Sequence, residues 1–494
     1  MAIKKYVASK DTTITNAFKA NLTQRGTGSN MGFSDALEVF SIIGQESSSS
    51  LEKSRILAEW TISDISTDRD AGDIPVSGNV NFYLKMYNAK TPFTLPRDFT
   101  LVVHAISRSW QEGTGLDMEE YTDQGYANWL VASTASTGLV DWTTEGGDFH
   151  TGAYVAGTNL PFYSQTFTNG DEDLEIDITA MVEEWIAGAP NSRTRANYGL
   201  GVYLTSSQEN AEDGDSYYTK KFFARGTEFF FKRPIIEARW DSSKQDDAGN
   251  FYLSSSLASA DDNLNTLYLY NYVRGQLKDI PGVATGDIFL SVYSTPGTAK
   301  ITLPVGGGVV TNNDFNVTGG QVGETGIYSA SFAFTGTATT IYPVWHVNST
   351  EYHTGSAITV QTFDSKDYNP NPRFVTNVTN LKSKYDASEV ARFRLYTRQK
   401  DWNPTIYVKA TATIESEIID AGYYRVVRVV DDLEVIAYGT GSDNYTKMSF
   451  DSSGSYFDLD MSLLETGYAY ALKFAYHING AYHEQPEVFK FRVE

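Results

Sequence analysis

The sequence predicts an all-β protein of sandwich domains, broken by one short amphipathic helix. Three observations predict it. Tyr 32 and Phe 27 far outnumber Pro 14 and Met 7, and with abundant Thr, Ser, Val and Gly they are strand and turn material. Apolar and polar residues alternate over short runs that Gly, Asn, Asp and Ser punctuate. A single segment carries the apolar period of a helix. The 494 residues, 41% of them hydrophobic, suffice for two to four cores.

In the N-terminal part, residues 80–87 (VNFYLKMY) and 100–106 (TLVVHAI) alternate as half-buried strands, and 55–62 (RILAEWTI) does so less cleanly. The serine run 47–50 is a loop without core-forming capacity. Over 176–186 (IDITAMVEEWI), Ile178, Met181, Val182, Trp185 and Ile186 share a helical face. Asp177 or Thr179 supplies a cap oxygen, and Gly188 and Pro190 end the helix. Strands follow at 198–204 and 234–240. The second alternates apolar with charged residues and reads as an edge or one-faced strand closing a domain. The polar stretch 242–250 (SSKQDDAGN) marks a boundary.

Beyond it, strand-like runs at 267–270, 288–293 and 327–334, separated by Gly306-Gly307-Gly308 and Gly319-Gly320, suit a small sandwich. Pro370 and Pro372 impose extended backbone near a second boundary. Runs at 391–396, 424–430, 468–476 and 488–493 predict a last sandwich, with a hairpin turn at Asn479-Gly480. The domains are therefore expected at 1–242, 251–362 and 373–494, the two smaller ones as immunoglobulin-like β-sandwiches.

Charge and composition restrict function. With Lys+Arg 39 against Asp+Glu 61, the net charge is −22. Clustered cations for phosphate are lacking, and an acidic leaflet repels the chain, so neither nucleic acid nor membrane insertion is expected. Zero cysteines exclude a disulfide framework, a thiolate metal site and a thiol nucleophile. The opening residues lack the apolar core of a signal peptide, so synthesis in a cytoplasm is expected.

Candidate chemistry is sparse. None of the six histidines (His104, His150, His346, His353, His477, His483) has the i, i+4 spacing of a helical zinc site. His346 and His353 could face each other across a hairpin around residues 348–350 and hold a metal, or be polar residues near its tip. The acidic clusters 171–173, Asp68-Arg69-Asp70 with Asp73, and 209–215 offer oxygen ligands to a hard cation, yet match no calcium loop. Motifs of a nucleophile elbow or a nucleotide loop are absent, so no enzyme and no cofactor is expected. Trp110, Tyr121, Tyr126, Trp129 and Trp142 crowd the loop-rich stretch 107–150. Such rings either stack on a glycan or plug the top of a sandwich.

Four segments in about the first 240 residues resemble the DNRLRE domain family, jelly-roll modules related to carbohydrate-binding modules. They are Asp11-Thr12-Thr13-Ile14 with Arg25-Gly26-Thr27-Gly28-Ser29-Asn30, then Ser54-Arg55-Ile56-Leu57, then Ser109-Trp110-Gln111-Glu112-Gly113-Thr114. The fourth is the closing pattern Ile176-Asp177-Ile178-Thr179, Glu184-Trp185, Asn197-Tyr198-Gly199-Leu200 and Arg233-Pro234-Ile235. The family commonly continues after Gly113-Thr114 into a strand with another tryptophan, whereas this chain has Gly-Leu-Asp-Met-Glu-Glu. The resemblance implies a jelly roll over 1–242 that carries a glycan surface.

Over its full length the chain also resembles virion structural proteins of tailed bacteriophages, marine ones in particular. Residues 1–7 (MAIKKYV), 25–30 (RGTGSN), 399–404 (QKDWNP) and the ending 486–494 (PEVFKFRVE) carry it. It implies a non-enzymatic protein on the virion exterior, in the tail or baseplate near fibre attachment. Head decoration, a neck position and a host-glycan adhesin are the alternatives, with a depolymerase as a third class. Expected partners are other virion proteins, further copies of the chain, and host surface polysaccharide. The basic residues Lys220, Lys221, Arg225, Lys232 and Arg233 could meet an acidic partner, or protect a strand edge.

Overall fold

The computed structural model describes residues 2–44, 50–92, 94–151, 163–188, 196–212, 214–283, 288–296, 316–362, 371–400 and 416–494. Residues 47–49, Pro190, Gly306-Gly307-Gly308, Pro370 and 401–404, which figure in the sequence reading, lie outside that set. The chain divides into two compact units, Ala2–Trp240 and Asp241–Glu494. In both, the strands pair antiparallel almost throughout.

The first unit comprises strands β1 (Ile3–Val7), β2 (Lys10–Thr15), β3 (Ala36–Ile43), β4 (Leu51–Glu59), β5 (Asn81–Met86), β6 (Phe99–Ala105) and β7 (Val131–Ala135). They are followed by β8 (Gly138–Asp141), β9 (Tyr163–Phe167), β10 (Leu174–Asp177), β11 (Leu200–Leu204), β12 (Tyr217–Phe223) and β13 (Ile235–Arg239). Its helices are α1 (Ile62–Ala71), α2 (Thr179–Ala187) and α3 (Ser206–Glu209). A 4-stranded sheet runs β1-β13-β5-β10, and a 7-stranded sheet runs β12-β3-β4-β11-β6-β9 with β2 also on β4. Ile56, Ala58, Leu101, Val103, Leu200 and Val202 are buried on one face of the larger sheet. Phe82, Leu84, Ile236 and Ala238 are buried on one face of the smaller. Two sheets with apolar inner faces make a β-sandwich.

The resemblance motif Ser54-Arg55-Ile56-Leu57 has a structural reason. Ser54 sits where β4 changes partner from β3 to β2, and its hydroxyl donates to the Glu38 carbonyl at 2.9 Å while accepting from Phe40 N–H at 2.9 Å. Lys220 clasps the two ends of the large sheet. Its Nζ donates to Asn88 Oδ1 (2.7 Å), Gly170 O (2.9 Å) and Glu172 O (2.7 Å), and it lies 5.0 and 4.8 Å from the Phe167 and Phe222 ring centres. Burial pulls this amine down to about 8 against the pull of Asp173, Glu172 and Asp171, and its three acceptors hold an ammonium at neutral pH. The acidic run 171–173 therefore answers a buried cation.

Strand β13 corrects the sequence reading. It is an inner strand between β1 and β5, and all five of its residues are buried. Its charged residues face a layer of paired charges. Glu237 contacts Arg239 (2.7 Å), Lys5 (3.6 Å) and Lys85 (3.9 Å), and Arg239 also reaches Glu175 at 2.7 Å. Burial alone would raise the Glu237 carboxyl, but Lys5, Lys85 and Arg239 hold it at about 2.

The helices differ from expectation at their starts. Ile176 pairs with Leu84 as part of strand β10, so α2 begins only at Thr179. Asp177 Oδ1 accepts from Thr179 N at 2.9 Å. Helix α1 adds to the single helix expected from the sequence, and only Ile62 and Ile65 of its residues are buried. Tertiary ion pairs hold it. Arg69 makes a bidentate pair with Glu183 of α2 (2.7 and 2.6 Å), and Asp68 accepts from Tyr6 OH at 2.7 Å and pairs with Lys4 at 2.8 Å. The acidic cluster at 68–73 is thus engaged within the fold.

In the second unit, strands Leu264–Tyr270, Ile327–Ala333, Val317–Gln321, Ile288–Tyr293, Thr340–Val347 and Thr350–Thr354 follow edge to edge, with Ile358–Thr359 also on Thr340–Val347. They enclose a core containing Phe251, Leu290, Tyr328, Phe332 and Trp345. The C-terminal portion is a sandwich of Phe374–Val378, Val390–Gln399, Gly454–Asp460 and Ser449–Asp451 against a sheet holding Gly422–Arg428, Ala469–Ile478 and Phe489–Val493. Rings meet between the layers, where Phe457 stacks on Tyr424 at 4.1 Å, and within its own sheet Phe457 stacks on Phe393 at 5.1 Å. Asn479 and Gly480 both take positive φ in the hairpin between Ile478 and Ala481, as their dipeptide predicts. Lys384–Tyr385 pairs with the final strand in parallel.

The polar stretch after Trp240 bridges these two portions. Lys244 and Asp246 exchange backbone bonds with Phe450 (2.9 and 3.1 Å), Asp247 Oδ2 accepts from Thr266 N at 2.6 Å, and Lys244 pairs with Glu324 at 2.7 Å. Burial raises the Asp247 carboxyl to about 7 and that of Asp246 to about 6, with Asp420 adding repulsion at Asp247.

Two outcomes follow for stability. Lys220→Met leaves three oxygens without a donor and lowers the unfolding free energy of the first unit by about 3 kcal/mol, read by urea denaturation. Asp247 binds its proton more tightly folded than unfolded, so its stabilising share is present below about pH 4 and is lost as pH rises through about 7. Asp247→Asn keeps the acceptor for Thr266. It should stabilise the chain by on the order of 2 kcal/mol at pH 8 and by almost nothing at pH 4, read by calorimetry.

Candidate functional site

Residues 107–150 cover part of the large sheet's other face. Beneath them Trp110, Trp129 and Trp142 join Ile14, Leu57, Ile106, Ala127 and Ala132 in a buried cluster. The indole N–H groups of Trp110 and Trp142 donate to the carbonyls of Tyr198 and Asn128, each at 2.9 Å. The three tryptophans are therefore plugs, with no ring face free for a sugar, because the loop needs an apolar underside to hold it on the sheet. Tyr121 and Tyr126 are exposed on the loop surface, 60% and 38%. The five rings form no common platform.

The excursion leaves the rest of that face open as a cleft of about 820 Å³, within the usual size of a ligand site. Its floor comes from β4, β6 and β11, through Arg55, Val102, His104 and Tyr203. One wall is the returning segment 143–151, which bridges β6 through Ile106 and Phe149. The other is α3, carrying Ser206 and Glu209.

Phe149 is half-buried and lies on the backbone of Gly201, where a Cβ would stand 2.1 Å from its Cε1. Its ring centre is 4.9 Å from that of Tyr203. His104 also stacks on Tyr203, at 5.6 Å, and its Nδ1 shares a 2.9 Å hydrogen bond with the Tyr203 hydroxyl. Burial lowers the His104 imidazole from its ordinary value and raises the Tyr203 phenol to about 12. Both are neutral at pH 7.

Arg55 anchors the site. Its guanidinium donates to both Glu209 oxygens at 2.6 Å and to the Gly146 carbonyl at 2.9 Å. It lies 4.8, 5.4 and 5.6 Å from the rings of Tyr203, Trp129 and Phe149. At the rim, Arg108 pairs with Asp148 (3.3 Å) and bonds the Asp141 carbonyl, while Asp148 accepts from the amides of Thr143 and Thr144, each at 2.9 Å. Ser107, Thr143, Thr144, Thr151, Thr205 and Ser206 ring the opening with hydroxyls. An aromatic shelf bordered by neutral hydrogen-bonding groups suits a ligand with an apolar face and many hydroxyls.

The other candidates are accounted for. His346 is buried with Nε2 on Ser291 Oγ (2.7 Å) and Nδ1 on the Asn348 carbonyl (2.9 Å), whereas exposed His353 pairs in register with Trp345. Both imidazole nitrogens of His346 are thus occupied. Among the described residues no group of three or more His, Asp or Glu is placed to hold a metal ion. The basic residues turn inward or pair: Lys221 with Glu38, Arg225 with Glu112 at 2.7 Å, Arg233 with the Thr227 carbonyl at 3.3 Å, and Lys232 over Tyr87 at 4.9 Å. The sequence reading missed Arg55, His104, Phe149, Tyr203 and Glu209 as one site. Arg55 stood out within Ser54-Arg55-Ile56-Leu57, His104 among the histidines and Glu209 at the head of an acidic run, but no signal joined them, and Phe149 and Tyr203 carried none.

The shelf depends on one missing methyl. Gly201→Ala expels the Phe149 ring and costs about 2 kcal/mol of stability through overpacking; a crystal structure of the variant should show the ring displaced from the cleft.

No protein-family model matches the chain, nor does any curated protein. No helix among the described residues is long and apolar enough to cross a membrane. Among solved structures, a marsupial T cell receptor aligns at 8% identity over 50% of this chain and 71% of its own, with a TM-score of 0.16. A second marsupial T cell receptor aligns at 9% identity over 47% and 69%, also at 0.16. Superpositions this loose carry no functional information.

Proposed function

We propose that this chain is a non-enzymatic structural protein on the exterior of a tailed-bacteriophage virion, tail- or baseplate-associated, whose first unit holds a host-surface saccharide in the Phe149–Tyr203 cleft. The virion assignment rests on the full-length resemblance carried by residues 1–7, 25–30, 399–404 and 486–494. Two β-units that fold without cysteine suit a protein made in a reducing cytoplasm and then assembled by surface contact.

The observation that favours adhesion is the chemistry of the cleft. Its two carboxylates are anchors: Glu209 is gripped at both oxygens by Arg55, and Asp148 by Arg108 and two amides. Groups fixed in this way orient a ligand and are poorly placed to exchange protons with it. Rings, hydroxyls and a neutral imidazole remain as the contact surface, which is binding equipment.

Gold-labelled antibody against the chain should decorate the tail or baseplate of intact particles. Labelling of the head or neck would move the protein there, and unlabelled purified virions would overturn the assignment. Particles carrying Phe149→Ala should adsorb to host cells at least tenfold more slowly.

A further inference from the structure

Resting on the saccharide-binding reading, we infer that the cleft selects electrically neutral saccharides and rejects uronates, sialates and phosphorylated glycans. The charge inventory of the lining carries this. The cleft contains two cations, Arg55 and Arg108, and two anions, Glu209 and Asp148, matched one to one. An anionic ligand needs a cation whose charge is not already matched by a carboxylate. The Arg55 guanidinium gives two N–H groups to Glu209 and another to Gly146, and its face is held among three rings.

Recruiting Arg55 to a ligand carboxylate would strip Glu209, which is 5% exposed, of its counter-charge. Leaving a buried carboxylate alone weakens such binding by on the order of a hundredfold or more. Arg108 is more accessible, yet it is shared between Asp148 and the Asp141 carbonyl. His104 supplies no cation at neutral pH, because burial disfavours its charged form. The chain's net charge of −22 adds a repulsive field against polyanions.

A neutral sugar meets none of these penalties. Its C–H face rests on Phe149. Its hydroxyls both donate and accept, matching the Tyr203–His104 pair, whose donor and acceptor roles exchange with the imidazole tautomer.

The test is calorimetric titration of the full chain with neutral gluco-, manno-, galacto- and xylo-oligosaccharides, and with oligoglucuronate, oligogalacturonate, oligomannuronate and sialyl-lactose. Binding to at least one neutral series is expected, lost on Phe149→Ala, with Kd changing less than twofold between about 50 and 500 mM NaCl, as an interaction without net charge requires. Glu209→Gln frees the Arg55 charge and should gain at least tenfold in uronate affinity. Should that variant misfold, the salt series on the natural chain decides alone. Preference for an acidic saccharide, weakening steeply with salt, overturns the inference while leaving saccharide binding intact. Binding to neither set overturns both, and neutral binding that survives Phe149→Ala places the site elsewhere.

Discussion

The first unit is organised around the Arg55 guanidinium. It joins β4 to α3 through Glu209, ties the 143–151 turn through Gly146, and fills the space between the tryptophan plug and the cleft rings. A planar group with five donors and an apolar face can do all of this at once, and a lysine could not. The cleft exists because this charge is fully answered from the protein side. An unanswered cation there would draw in water and anions and leave the aromatic shelf wet.

The same rule governs other interior charges. Lys220, Glu237 and Arg239 are all buried, and each meets oppositely charged or polar partners on neighbouring strands. In each of these cases neighbouring segments supply the partner that the buried charge needs. The bridge at residues 244–247 departs from this rule. There Asp246 and Asp247 are answered chiefly by backbone amides, which do not offset the cost of burial, so burial leaves their carboxyls raised.

Period and turn chemistry made much of the fold legible. The alternation in 80–87 and 100–106 became β5 and β6, and Asn479-Gly480 became a hairpin, because these signals are local. Helix α1 was illegible since its stability resides in Arg69–Glu183 and Asp68–Tyr6, partners 114 and 62 residues apart. Strand β13 misled for a related reason: alternating charge usually means solvent, and here it means a second charged layer. The cleft was least legible. Arg55, His104, Phe149, Tyr203 and Glu209 come from five separate segments, and no spacing rule joins them. The tryptophans left both readings open because size and sequence crowding do not distinguish a plug from a platform.

The parallel pairing of Lys384–Tyr385 with the last strand has a mechanical consequence. Tension entering the C-terminal sandwich from upstream of Ser383 and leaving beyond Val493 pulls these two strands in opposite senses along their common axis. The bonds linking them, Arg492 to Ser383, Glu494 to Tyr385 and Ala387 to Glu494, are then loaded together in shear. An antiparallel hairpin pulled from its open end would yield one rung at a time. This geometry shares the force among its rungs, so the sandwich can stay folded while transmitting a tug along the chain.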